Sequence, residues 1–263
     1  MSQQQMREVR TTARQLSKRK QLTRLLLILL ILSLLIMSIV FAGASFLNRA
    51  GRFTINLDPE SFTKYGISIS ATEDFKDPTI LLQGTALKNM WNITKDWILN
   101  NPNNKEYYSK GDPTYKTFAD IDKVDGDHNG KDYIAYTFWI KNAGTKDAGY
   151  YGSLNIDSVA KGADEAIRIM VFRNGVPTEY GKIPKDPKAP YATFGIDKYF
   201  LNTRMAADMT NKDFKVGDKD RYTVLIWLEG WDPECVNGIM GGEVKLSMNF
   251  KVLEEVAVTD VLA

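Results

Sequence analysis

Hydrophobic and polar positions divide this chain into two regimes. From Leu25 to Leu47 no charged side chain occurs, and Leu and Ile occupy every helical face between Leu25 and Ile36. An amphipathic core helix would keep a polar stripe, so the run reads as a membrane crossing. At 1.5 Å per residue it makes a helix of roughly 34 Å, enough for the ~30 Å hydrocarbon core of a bilayer. Beyond it the pattern changes to period two. Val244, Leu246, Met248, Phe250 and Val252 alternate with Glu243, Lys245, Ser247, Asn249 and Lys251, which predicts a half-buried strand.

Two further runs are apolar on both faces. Tyr222, Val224, Ile226 and Leu228 stand opposite Leu225 and Trp227, and Ile134, Tyr136, Phe138 and Ile140 stand opposite Ala135, Thr137 and Trp139. Such strands are central and covered on both sides. Strands are also predicted at Arg52–Leu57, Tyr65–Ser70, Tyr151–Asp157 and Glu165–Arg173, with turns at Asn142-Ala143-Gly144 and Asn174-Gly175. Seven or more strands with irregular connections predict an antiparallel β-sandwich, jelly-roll-like, following the membrane helix. One or two short helices complete it. The spacing of Leu87, Met90, Trp91, Trp97 and Ile98 predicts a helix over Ala86–Leu99, and Asp232-Pro233 predicts a capped helical turn over Pro233–Met240.

Charge orients the chain. Arg7, Arg10, Arg14, Lys18, Arg19, Lys20 and Arg24 precede the apolar run against the single acid Glu8, so the positive-inside rule keeps residues 1–24 in the cytoplasm. Residues 48–263 then form one extracellular domain, with no Ser/Gly/Pro-rich linker to divide it. The arm takes seven of the 34 basic residues and one of the 32 acids, leaving 27 and 31 outside. The external part is mildly acidic, and no nucleic-acid partner is expected. The apolar stretch from Leu25 to Ala42 precedes any small-residue cleavage site and exceeds the roughly 7 to 15 residues of a cleavable signal core. Retention as a single-pass anchor in the cell membrane is therefore the first expectation, and secretion after cleavage near Ala44 the second. With one cysteine, Cys235, no intramolecular disulfide is available, and the external core must supply the stability.

Candidate chemistry is sparse. The stretch Asp125-Gly126-Asp127-His128-Asn129-Gly130, followed by Asp132, places oxygen side chains at alternate positions around glycines, as a calcium loop requires. Asp125, Asp127, Asn129 and Asp132 are the candidate ligands. Position twelve counted from Asp125 is Tyr136 in place of a bidentate glutamate, so only the first half of an EF-hand loop is present; the alternative is a solvated acidic loop. His128 is the only histidine, which excludes a two-histidine zinc site. Among the acids of the external part no pair stands out for glycoside hydrolysis, and no catalytic residue or cofactor is expected. Trp231, in the loop Glu229–Pro233, is the one tryptophan whose context suits an exposed sugar contact.

The segments Asn48-Arg49-Ala50-Gly51-Arg52-Phe53, Tyr136-Thr137-Phe138-Trp139-Ile140-Lys141-Asn142-Ala143-Gly144 and Gly241-Gly242-Glu243 through Phe250 carry a resemblance. In layout and strand flavour across residues 25–254, the chain resembles the TasA and camelysin family of bacterial secreted surface proteins and related Gram-positive membrane-anchored proteins. The resemblance implies a signal segment before a jelly-roll domain that forms fibres or surface material in a biofilm matrix. Camelysin-like members have been described as metallopeptidases, but no zinc signature falls on this sequence. The expected function is thus a non-enzymatic cell-surface structural or adhesion protein. The alternatives are an envelope-tethered carbohydrate-binding module, calcium-stabilised or not, with cell-wall glycan as partner, and thirdly a secreted hydrolase. Phe53, Ile55 and Leu57 begin a strand just beyond the membrane run. Freed by cleavage, it would insert into a neighbouring sandwich and build a homo-oligomer or fibre; with the helix retained, it ties the domain to its anchor.

Overall fold

The structure is a computed structural model that describes residues 24–38, 52–95, 98 and 118–253. The chain divides into two compact units, Met1–Ala50 and Gly51–Ala263. In the first, residues 24–38 form a helix (α1) whose side chains are all exposed. The remainder of the predicted membrane run, residues 39–47, lies outside the described residues. Among the described residues, no helix is long and apolar enough to cross a membrane.

The second unit runs β1 (Thr54–Leu57), α2 (Pro59–Thr63), β2 (Ile67–Ser70), β3 (Leu81–Gln83), β4 (Gly126–Asp127), β5 (Tyr133–Asn142), β6 (Gly149–Ala160) and β7 (Ile167–Arg173). It continues with β8 (Val176–Gly181), β9 (Lys198–Tyr199), β10 (Met205–Asn211), β11 (Lys219–Leu228) and β12 (Glu243–Leu253). A five-stranded sheet has the order β10-β6-β12-β1-β3. A seven-stranded sheet has the order β2-β5-β11-β7-β8-β9, with β4 also paired to β5. The two sheets pack together. Ile55, Leu154, Met248 and Phe250 of the first meet Ile69, Phe138, Ile169 and Val224 of the second in one buried cluster. Gly152 makes room there, because a Cβ on it would meet the Phe250 ring at 2.4 Å.

The two-sided apolar strands fall where their pattern requires. β5 and β11 pair antiparallel at the centre of the larger sheet, with Tyr222 opposite Phe138 and Trp227 opposite Tyr133. Their outer face forms a second buried cluster with Met170 and Phe172 of β7, covered by Ile98 and Ile121. Seven predicted strands are present, with ends shifted by a few residues.

Three expectations are corrected. First, the sandwich is mixed and not purely antiparallel, since β1 pairs with β12 in parallel and β8 with β9 in parallel. The chain enters the smaller sheet at one end as β1, and re-enters it at that end as β12 after the 229–242 loop, so the two strands must run the same way. Second, of the helix expected over Ala86–Leu99 only Lys95 and Ile98 are helical among the described residues, and residues 86–94 form no helix. Asp132 Oδ1 accepts the Trp91 N–H (2.8 Å), and Ile93 donates to Leu228 O while accepting from Gly230 N, which draws this backbone out of helical pairing. Third, the predicted turn over Pro233–Met240 is reduced to a 3-10 turn at Asn237–Ile239. Strands β3, β4, β8, β9 and β10, and helix α2 with its Asp58 cap accepting from Ser61 N, were not expected from the pattern.

Candidate functional site

The four calcium candidates are dispersed as brackets between chain segments. Asp125 accepts from the backbone N–H of Glu73 (3.1 Å) and from Trp139 Nε1 (2.8 Å). Asp127 accepts from Thr85 N (2.6 Å). Asn129 donates to Thr85 O (3.0 Å) and accepts from Ala135 N (2.8 Å), and Asp132 holds Trp91 N. Among the described residues, no three or more His, Cys, Asp or Glu side chains come together in a way that could hold a metal ion. His128 is buried between the carbonyls of Gly126 (2.7 Å) and Ile121 (3.0 Å). Burial lowers its pKa, which keeps the ring neutral at neutral pH.

Phe53, Ile55 and Leu57 lie in the domain's own core, at 2, 0 and 3 % exposure. β1 is hydrogen-bonded on both edges, to β12 in parallel with Thr54 opposite Ser247 and Leu57 opposite Phe250, and to β3 antiparallel with Ile55 opposite Leu82.

Trp231 is half-buried and belongs to an aromatic cluster. Its ring centroid lies 5.4 Å from Tyr191 and 5.6 Å from Phe194, and those two rings meet edge to face at 6.0 Å. Tyr191 is 57 % exposed and Phe194 46 %. Both come from the β8–β9 connection, while Trp231 comes from the β11–β12 connection, so the cluster joins two loops at one end of the sandwich. Tyr191 holds a left-handed backbone (φ 63°), a conformation that costs a non-glycine residue about 1 to 2 kcal/mol and persists only where the surroundings enforce it. An open groove of about 400 Å³ lies alongside, lined by Lys161, Glu165, Lys185, Ala189, Pro233 and Val236 among others.

A buried ionic network holds the residues that adjoin Trp231 and Tyr191 in the chain. Arg168 of β7, 1 % exposed, pairs with Asp232, the residue after Trp231, and donates to the carbonyl of Ala192, the residue after Tyr191 (3.4 Å). Glu179 of β8 takes Lys95, and its second oxygen lies 3.9 Å from Arg168 Nε. Glu229 accepts from Trp227 Nε1 (2.9 Å), Lys95 N (3.0 Å) and Trp231 N (3.1 Å). Buried Arg168 and the partly exposed Lys95 thus face four carboxylates, Glu179, Glu229, Asp232 and the neighbouring Glu234. Burial, with the neighbouring Glu234 carboxylate, pushes Asp232 up to about 6 against the pull of Arg168. Burial likewise raises Glu179, outweighing Lys95 and Arg168. Among the described residues Arg168 Nε finds no hydrogen-bond acceptor.

Glu179, Glu229 and Asp232 are buried and engaged by cations and backbone donors. The surface of this end is mixed, with Tyr191, Phe194, Val236 and Met240 exposed beside Lys185, Asp186 and Lys188. Sequence reasoning found Trp231 but missed Tyr191, Phe194, Arg168 and Glu179. The Tyr191-Ala192-Thr193-Phe194 spacing in a Pro-rich loop was the available signal for the first two. Arg168 alternates within a strand-like run as surface residues do, Glu179 lies in a run too polar to show a face, and both are buried only in the folded chain.

No protein-family model matches the chain, and no curated protein matches it. Among solved structures, a selenomethionine-labelled β-glucosidase from Kluyveromyces marxianus aligns at 13 % identity and a TM-score of 0.22. The alignment covers 69 % of this chain and 17 % of that one, and at this TM-score it carries no argument about fold or activity.

Proposed function

We propose that this chain is a non-enzymatic surface protein of a Gram-positive envelope, anchored N-in by the run Leu25–Leu47. Its jelly-roll-like external domain serves structure or adhesion. The observation that carries this reading is the place of β1. The strand nearest the membrane run is inserted between β12 and β3 with its inward side chains in the core. Ladder hydrogen bonds lie across the strand direction. A pull along β1 from its N-terminal end therefore loads its bonds to both neighbours together, in shear, and sets that load against burial of Phe53, Ile55 and Leu57. A tether built in this way suits a protein that transmits force between a membrane and whatever the domain holds.

Intact cells carrying the full chain with an N-terminal tag provide the test. External protease is expected to digest residues 52–253 while sparing the tag, and carbonate washing is expected to leave the tag in the membrane. Recovery of the protein in the medium with a start near Ser45 would overturn the anchor. Fibres formed by that shortened species would transfer the function to exchange of β1 between copies.

A further inference from the structure

We propose that Asn237, in the β11–β12 connection, is a site of spontaneous deamidation in the folded protein, with the Gly238 backbone nitrogen as nucleophile. The inference does not depend on the membrane anchor. It starts from a comparison within the sequence. Three Asn-Gly pairs occur, Asn129-Gly130, Asn174-Gly175 and Asn237-Gly238. In an unfolded chain all three are reactive, since a following glycine leaves the attacking nitrogen unshielded and the backbone free to rotate.

Folding separates them. The Asn129 amide is held on both sides, its Nδ2 donating to Thr85 O (3.0 Å) and its Oδ1 accepting from Ala135 N (2.8 Å), and Gly130 is buried. Asn174 is held in the same way, donating to Asp220 Oδ1 (2.6 Å) and accepting from Arg221 N (2.8 Å). Neither carboxamide carbon can turn toward the next nitrogen without breaking two hydrogen bonds. Asn237 and Gly238 are both exposed, and among the described residues the Asn237 side chain has no hydrogen-bond partner. Their backbone is a single 3-10 turn, closed by Ile239 N to Val236 O (3.1 Å) and Met240 N to Asn237 O (3.2 Å). So short a helical turn opens readily. A Cβ on Gly238 would meet only Val236 Cγ2, at 3.8 Å, so nothing packs against this backbone to resist the rotation that attack requires.

The step balances with water as its one co-reactant. The Gly238 nitrogen gives up its proton and bonds to Asn237 Cγ, the Cγ–Nδ2 bond breaks, and ammonia leaves with that proton. Water then opens the succinimide ring at either carbonyl, giving aspartate or isoaspartate. Each product puts a carboxylate between Val236 and Ile239, which line the groove together with Glu165, Glu234, Lys161 and Lys185. Conversion makes this rim more negative, and isoaspartate also lengthens the backbone of the turn.

The test holds the purified full chain in detergent micelles at mildly alkaline pH in heavy-oxygen water. Mass spectrometry follows label entering the three Asn-Gly peptides, with a guanidinium-unfolded sample alongside. In the folded protein Asn237 is expected to convert at least about tenfold faster than Asn129 or Asn174, the factor imposed by freeing a carboxamide from two hydrogen bonds of ordinary net strength. In guanidinium the three rates are expected to converge. Gly238→Ala, which the open space and the absence of a positive φ accommodate, is expected to slow Asn237 and leave the other two unchanged. Equal rates at the three sites in the folded chain would overturn the proposal. So would a rate difference that persists unchanged in guanidinium, or a Gly238→Ala chain that converts as fast as the wild type.

Discussion

The two ends of the two-sheet unit each bury a charge network, and the two are built to opposite specifications. At the far end, Asp220 of β11 accepts from Tyr150 (2.5 Å), Asn174 (2.6 Å), Asn211 (2.8 Å) and Arg173 (3.0 Å). Tyr150 and Asn211 belong to the five-stranded sheet and Asp220 to the seven-stranded one, so a single carboxylate stitches the layers together. Burial alone would raise its pKa, but these donors and the Arg173 charge outweigh that and lower it. At the entry end, Asp232 has Arg168 beside it, yet burial and Glu234 dominate and its pKa rises to about 6. A carboxylate whose oxygens are filled by donors is a rivet. One that shares a largely buried site with three further carboxylates against two cations holds its loops at an electrostatic cost.

The sharpest way to break the comparison is Asp220→Ala, which strands Tyr150, Asn174, Asn211 and Arg173 without their acceptor. A loss of about 3 to 5 kcal/mol is expected in denaturant unfolding, with the sheets separating as one transition. Asp232→Asn should cost far less, about 1 kcal/mol, because Arg168 keeps the nearby Glu179 and the folded state already disfavours the charge at this position. Equal losses for the two variants would erase the distinction.

The pH dependence has opposite signs at the two sites. Asp220 has a lowered folded pKa, so its contribution is present above the unfolded value near 4 and is lost as pH falls through the folded pKa. Asp232 has a raised one, so the folded state takes up its proton first and gains stability relative to the unfolded state as pH falls from about 6 toward about 4. Melting profiles should therefore show a shallow gain on mild acidification that Asp232→Asn removes, followed by a loss below pH ~4. A wild-type curve falling monotonically from pH ~7, unchanged in Asp232→Asn, would contradict the raised value.

Smaller effects mark the surface of the entry end. Phe194→Ser should change stability by less than about 1 kcal/mol, since its ring is half in solvent. Millimolar calcium is expected to leave the melting temperature unmoved, because Asp125, Asp127 and Asp132 are already engaged by backbone and indole N–H groups. A rise abolished by Asp125→Ala with Asp127→Ala would restore the calcium loop.

Legibility followed the range of the forces involved. Strands with strong alternation or two-sided apolarity, such as β5, β11 and β12, were visible because burial of a pleated face is written every second residue. β8 and β10 were not: Val176-Pro177-Thr178-Glu179 and Met205-Ala206-Ala207-Asp208 are too polar or too small-chained to show a face. Their places come from pairing with β7 and β6. The Ala86–Leu99 expectation holds only at Lys95 and Ile98 among the described residues; upstream of them, side chains more than 40 positions away, Asp132 among them, capture backbone N–H groups.

By itself, then, the sequence determined a charge-free apolar run with a basic arm, a β-rich domain without disulfides, and the absence of any two-histidine chemistry. These follow from composition and local period, which tertiary structure does not alter. Folding alone decided that β1 runs parallel to β12, that Arg168, Glu179 and Asp232 meet in the dark, and that Tyr191, Phe194 and Trp231 share one surface. Each of these joins residues far apart in the chain, and only the packing of two sheets and the closure of the loops between them sets such distances.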